Sequence, residues 1–326
     1  MKIWFKDYEL FPKKKLNGKS DLLPRKGSLL KVDWGEEVIG YSDVFPWEEF
    51  GDLNLEELKK ELIQATPDFS LVKSPLLKRA LERSLLDGQA RKEKNSLFQD
   101  FSVPESHGLL PMNSTVEDLN AFRDMGFRVF KLKLTGQPLV DLPQTLSILN
   151  ALLPEEKLRL DFNGLLSMDE FLQVLRALND HSSKISQLDL IEDPWSAGNA
   201  DVDSFRLPKQ LREKFASDFC EHPSWKHKVV KSARQFSDRL FSFSNRVIVT
   251  HSMDHTLGQA FSLYESGVLN QKRPAPEVHG VARAQVYKST DFDWSWEGSG
   301  PSPTPPQGTG IGFDEILRGI SWEPLS

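Results

Sequence analysis

The sequence predicts an α/β protein whose larger part is a (β/α) barrel, with an α+β region ahead of it. Three observations predict this. From about residue 108, short runs rich in β-branched and aromatic residues alternate with helical patterns, as parallel β/α units require. Eight strand candidates fit into about 180 residues, which favours a compact barrel over a doubly wound sheet. Charged residues stand at the ends of successive candidates, where a barrel gathers its reactive groups.

The first 100 residues read as α+β. A strand is predicted at Lys2–Tyr8, then a basic loop from Lys13 to Arg25. Ser28–Trp34 and Val38–Val44 flank Gly35-Glu36-Glu37 as a hairpin. Leu55, Leu58 and Leu62 form one stripe of a helix over Leu55–Ala65, with Asn54 as its N-cap. A second helix, Ser74–Glu93, opens with a serine cap and a first-turn proline.

The barrel strands are expected at Leu109–Met112, Phe127–Leu134, Lys157–Asp161, Ile185–Ile191, Phe215–Asp218, Lys228–Lys231 and Arg246–Thr250, with Pro276–Val281 closing the sheet. Helices are expected from Ser114 or Thr115 to near Gly126, at Pro143–Leu153, from Ser167 to Leu178, at Asp201–Lys214 with a break at Pro208, at Ser232–Leu240 and from His255 to Ser266. The Gly/Pro/Ser-rich stretch 298–309 reads as a loop returning over the first region.

At 326 residues, with 39% hydrophobic and 27% charged content, the chain has the composition of a folded globular protein. A net charge of −6 gives no footprint for nucleic acid. No apolar run reaches the length of a membrane span, and the N-terminus lacks a signal-peptide core. The single cysteine, Cys220, excludes an intrachain disulfide and fits a reducing compartment. These features predict a cytoplasmic protein acting on small molecules; the oligomeric state is left open.

Lys131 and Lys133 alternate along one strand and therefore face one space, an arrangement that costs energy unless something compensates it. The next three strands end in Asp161, Glu192 and Asp218, and the following one in Lys231. Three carboxylates without Cys or His among them suit a hard dication, Mg²⁺ first and Mn²⁺ as its substitute. A lysine beside Mg²⁺ and a second lysine loses affinity for its proton and becomes a general base. The plain alternative for Lys-X-Lys alone is a solvated strand edge. His222 and His227 lie near Asp218, but their spacing fits no zinc motif. No phosphate loop, nucleophile elbow or dinucleotide fingerprint is present.

Read in order, Lys131-Leu132-Lys133, Leu160-Asp161-Phe162-Asn163, Ile191-Glu192-Asp193-Pro194, Ala216-Ser217-Asp218 and Val229-Val230-Lys231 resemble the strand-end motifs of the enolase superfamily. The opposed lysines resemble its muconate-lactonizing-enzyme subgroup. Within it, the chain most resembles the o-succinylbenzoate synthase family, through the Thr250–Gly258 turn, while the Gly308–Gly312 tail resembles the subgroup's closing segment. The resemblance spans almost the whole chain.

It implies a (β/α)7β-type TIM barrel over 106–290, an α+β capping domain over 1–105, and a C-terminal segment, 291–326, that completes the cap. It implies a small-molecule carboxylate substrate and no nucleic-acid or membrane partner. Lys133 would abstract the α-proton, a lysine base with Mg²⁺ being that superfamily's known pattern. Lys231 would face it from across the barrel, and Lys131 would meet the substrate carboxylate and tune Lys133. Asp161, Glu192 and Asp218 would bind Mg²⁺; Asn163 and Ser252 would touch substrate or brace the site. Three positions depart from the family pattern: Phe162, Phe219 where an acid is usual, and Ser232 where a proline often stands. The resemblance implies a lyase forming o-succinylbenzoate. An N-acylamino acid racemase or dipeptide epimerase using the same lysines is the alternative, and a barrel that binds without catalysis the third.

Overall fold

The computed structural model describes residues 1–13, 23–66, 68–100, 102–180, 182–195, 211, 213–218, 225–283, 286–296 and 300–325. Most of the basic loop, most of the helix expected over Asp201–Lys214, and Phe219, Cys220 and His222 lie outside them.

The N-terminal sheet is antiparallel. β1 (Lys2–Leu10) pairs along its whole length with β2 (Arg25–Asp33), which pairs with β3 (Ile39–Val44). Gly35, Glu36 and Glu37 all have positive φ, and this left-handed run reverses the chain. α1 (Leu55–Ala65) starts at a full capping box in which Asn54 and Glu57 satisfy each other's backbone N–H. α2 (Pro75–Lys92) begins at Ser74, as expected, and lies on β3 so closely that a Cβ on Gly40 would stand 1.7 Å from the Ser84 carbonyl oxygen.

The barrel comprises β4 (Gly108–Leu110), β5 (Val129–Lys133), β6 (Lys157–Asp161), β7 (Leu188–Glu192), β8 (Phe215–Ser217), β9 (His227–Lys231) and β10 (Val247–Thr250), all parallel and in sequential order. The eighth strand position is reduced to His279 and Gly280, which bridge Ser106 on one side and Thr250 on the other. Gly280 N donates to Val249 O at 2.8 Å and His107 N to His279 O at 2.7 Å, so the two sheet ends meet. Outside the strands lie α3 (Val116–Asp124), α4 (Pro138–Ala151), α5 (Met168–Asp180), α6 (Ser182–Ile185) and α7 (Thr256–Lys272).

Strand alternation sorts the residues by face. Val247 and Val249 pack outward against Leu257 and Phe261 of α7. Leu190, Ala216, Val229 and Ile248 form a separate apolar cluster inside the ring. Glu192, Asp218 and Lys231 each follow a member of that cluster by two residues and share its face. Below, Arg159 and Arg246 both pair with Asp189, and Arg246 also with Glu277, plugging the barrel floor.

The helix expected over Ser232–Leu240 is corrected: Ser232–Arg234 form a turn and Asp238–Leu240 a single 3-10 turn. Ser232 is fully buried with its hydroxyl on Ser262 and Arg83, and the Arg234 side chain reaches away to Asp52 and Ser252. These tertiary contacts override a weak helical pattern rich in serine and aspartate.

The tail returns to the cap. β11 (Glu323–Pro324) adds to β1 at Trp4 and Phe5. The buried Asp87 carboxylate accepts from Tyr41 N, Ile311 N and Arg91, tying β3, α2 and the tail together.

Candidate active site

Lys131 and Lys133 end β5 and face the barrel interior. The Lys131 ammonium lies 2.9 Å from Asp161 Oδ2 and 2.7 Å from Glu192 Oε2, with all three side chains buried. Burial alone would lower its pKa, but the two carboxylates reverse this and push it up. Burial and the neighbouring acids raise the Glu192 carboxyl while Lys131 opposes them; with the ammonium at hydrogen-bond distance the proton belongs on the lysine.

Lys133 behaves oppositely. Burial lowers it to about 8; Asp161 opposes the shift, and the ammoniums of Lys131 and Lys231 add to it. Two lysines on one face therefore have different chemistry: one held as a cation, the other able to lose its proton near neutral pH.

Lys231 ends β9, four strand positions from β5 in a ring of eight, and so stands across the barrel from Lys133. Its ammonium is 3.0 Å from Asp218 Oδ2. The register aligns Lys133 with Asp161 and Asp161 with Glu192, bringing these three strand ends to one level. Asn163, left-handed at φ 51°, donates its backbone N–H to Asp161 Oδ1, and its buried amide nitrogen has no partner among the described residues.

Among the described residues, Glu192, Asp193 and Asp218 form an acidic group in which one carboxylate oxygen of each lies within 4.8 Å of the others. Asp161 joins it through Lys131. Asp193 was not singled out by the sequence, because alternation along β7 turns it away from Glu192. A donor set made only of carboxylate oxygens, with the buried Asp218 Oδ1 unpartnered among the described residues, fits a hard divalent cation.

Ser252 is engaged on both sides: its hydroxyl accepts from Arg234, and its carbonyl from Trp47 Nε1 at 2.9 Å. Arg234 also pairs with Asp52 of the N-terminal region. These contacts brace the loop after β10. Neither Arg234 nor Trp47 carried a signal in the sequence, since their partners are about 180 and 205 positions away. His107 is a further interior residue missed; its Nδ1 lies 3.0 Å from the Arg159 guanidinium, which only donates, so the ring is neutral with Nε2 protonated. Burial, then Arg159 and Lys131, lowers its pKa.

Comparison with known proteins agrees with this architecture. The family model "O-succinylbenzoate synthase, N-terminal domain" matches residues 3–90. An o-succinylbenzoate synthase from Bdellovibrio bacteriovorus is 25% identical over 340 residues, covering 100% of this chain and 99% of the relative. An enolase-superfamily protein from Enterococcus faecalis superposes with a TM-score of 0.77 at 16% identity, covering 100% of this chain and 99% of its own. The dipeptide epimerase from Methylococcus capsulatus, solved with Mg and L-Arg-D-Lys, gives 0.74 at 16% identity over 96% of this chain and 99% of its own. Among the described residues no helix is long and apolar enough to cross a membrane. The chain is thus an enzyme with the enolase-superfamily fold, similar to an o-succinylbenzoate synthase along its whole length.

Proposed function

We propose that the protein is a Mg²⁺-dependent carbon–oxygen lyase that dehydrates 2-succinyl-6-hydroxy-2,4-cyclohexadiene-1-carboxylate to o-succinylbenzoate, a cytoplasmic step of menaquinone biosynthesis. The observation that carries the reading is the divergence of the two β5 lysines: Lys133 is lowered to about 8 while Lys131 is held as a cation by Asp161 and Glu192. The full-length o-succinylbenzoate synthase relative supports the substrate class.

Lys133, neutral, takes the α-proton. Lys131 keeps positive charge beside the substrate carboxylate. Lys231, cationic, lies across the ring and stabilises the negative charge that develops there. Asp161, Glu192 and Asp218 hold the cation, and Asn163 and Ser252 brace their strand ends. Bound Mg²⁺ (or Mn²⁺) supplies charge that favours an enediolate. The hydroxyl then leaves as water, taking back the proton that Lys133 carries, and the ring becomes aromatic.

The opposed positions of Lys133 and Lys231 favour one second reading, racemisation or epimerisation of an N-acylamino acid or dipeptide, with each lysine serving one face. Ultraviolet absorbance during incubation with the cyclohexadiene separates the two. Aromatisation supports the lyase. Exchange of an amino-acid α-proton in deuterated water without aromatisation rejects it.

A further inference from the structure

We infer that Asp193 belongs to the cation site, as the group that positions Asp218 and adds a fourth carboxylate to the rim. The inference rests on the metal reading of Asp161, Glu192 and Asp218 proposed above, and extends it to a residue outside that set.

Asp193 follows Glu192 directly. In a regular strand its side chain would leave the opposite face of the sheet. It does not, because its backbone is left-handed, at φ 40°. Such a conformation is uncommon for a residue other than glycine and persists where surrounding structure imposes it. Here the imposition is visible. Asp193 N donates to Ala216 O at 3.1 Å on β8, and Gly164 N, in the loop after β6, donates to Asp193 O at 2.7 Å. The residue is stitched to both neighbouring strand ends, and Pro194 follows it.

The turn brings the carboxylate to the side where Glu192 and Asp218 lie, with one oxygen from each of the three residues within 4.8 Å of the others. One oxygen of Asp193 accepts from the Ser217 hydroxyl at 2.9 Å, and the other from the Asp218 backbone N–H at 3.1 Å. β8 ends at Ser217, so the strand ladder does not fix Asp218; these two bonds do. Independently, Asp218 Oδ1 is buried and unpartnered among the described residues, an acceptor a cation would satisfy. A buried group of like charges gains its compensation from a dication, and the fourth carboxylate raises the attraction for one.

The test is binding of Mn²⁺ alone to the full chain, measured by the electron paramagnetic resonance of free and bound ion and by calorimetry, without substrate. The wild type binds one ion. Asp193→Asn, which keeps the shape but removes the charge, weakens binding by about 10- to 100-fold and alters the bound-Mn²⁺ spectrum. Ser217→Ala, which removes one anchor, weakens it less. Circular dichroism of the metal-free variants checks that both fold; should Asp193→Asn not fold, Asp193→Glu and Ser217→Ala carry the test, each with weakened binding. Unchanged affinity and spectrum in folded Asp193→Asn, or in both substitutes, overturn the inference while leaving the three-acid site standing. Absence of Mn²⁺ binding by the wild type overturns the metal reading and this inference together.

Discussion

In the proposed reaction Lys133 is the base, and two consequences follow from its pKa near 8. As a base it must be neutral, so kcat/KM for proton abstraction should fall about tenfold per pH unit below pH 8 and level off above it. A pH–rate profile measured in fixed Mg²⁺ checks this; a flat profile from pH 6 to 9 would contradict it. The second consequence concerns stability. The folded state disfavours the charged lysine, whose ordinary pKa is 10.5. The penalty is full below pH 8, where both states are protonated, and fades as pH rises from 8 to 10.5, where the unfolded chain binds more protons. A shift of this size corresponds to on the order of 3 kcal/mol. Lys133→Met should therefore be more stable than the wild type at pH 7 in urea titrations, with the difference shrinking as the pH approaches 10.5. At this scale the sequence was legible where residues obey alternation: Lys131, Lys133, Asp161, Glu192 and Lys231 lie at or within two residues of the ends of β5, β6, β7 and β9, whereas Asp218 follows the end of β8 by one residue. It was silent where they do not. Asp193 reaches the rim through a left-handed backbone that no spacing rule encodes.

Elements held by local rules were readable from the chain. α1 spans Leu55–Ala65 as expected because its stripe and its Asn54–Glu57 box are consecutive in sequence. Ser232–Leu240 failed as a helix because distant residues, Arg83, Ser262 and Asp52, claim its side chains. The β3–α2 contact likewise depends on a feature visible only in three dimensions. A methyl group on Gly40 would overlap the Ser84 carbonyl, and neither backbone can yield without breaking the sheet or the helix. Gly40→Ala should lower stability by about 2–4 kcal/mol, the range of severe backbone clashes and overpacking. Thermal unfolding followed by circular dichroism reads this directly, and a midpoint equal to the wild type's would refute the close approach.

Across the whole molecule, the N-terminal sheet and the barrel are joined by polar contacts close to the chemistry. Trp47 and Asp52 grip the loop after β10 through Ser252 and Arg234, and Arg83 of α2 pairs with Glu265 of α7, both nearly inaccessible. Arg83→Ala would leave Glu265 buried with Arg79 as its remaining cation, and should cost about 3 kcal/mol, the low end for a broken buried pair. Chemical denaturation measures this; a loss under about 0.5 kcal/mol would show that Arg79 alone suffices. The barrel itself was legible from the alternation of elements, whereas its closure was legible only in part: Pro276–Val281 was placed at the closing position, but it closes through two residues, too few to leave a pattern. One measurement bears most directly on the proposed lyase: ultraviolet absorbance of 2-succinyl-6-hydroxy-2,4-cyclohexadiene-1-carboxylate mixed with the protein and Mg²⁺. The proposed lyase forms the aromatic product catalytically, and chelation or Lys133→Ala abolishes it; no product from the folded, Mg²⁺-loaded wild type, or undiminished product from Lys133→Ala, would contradict the lyase reading.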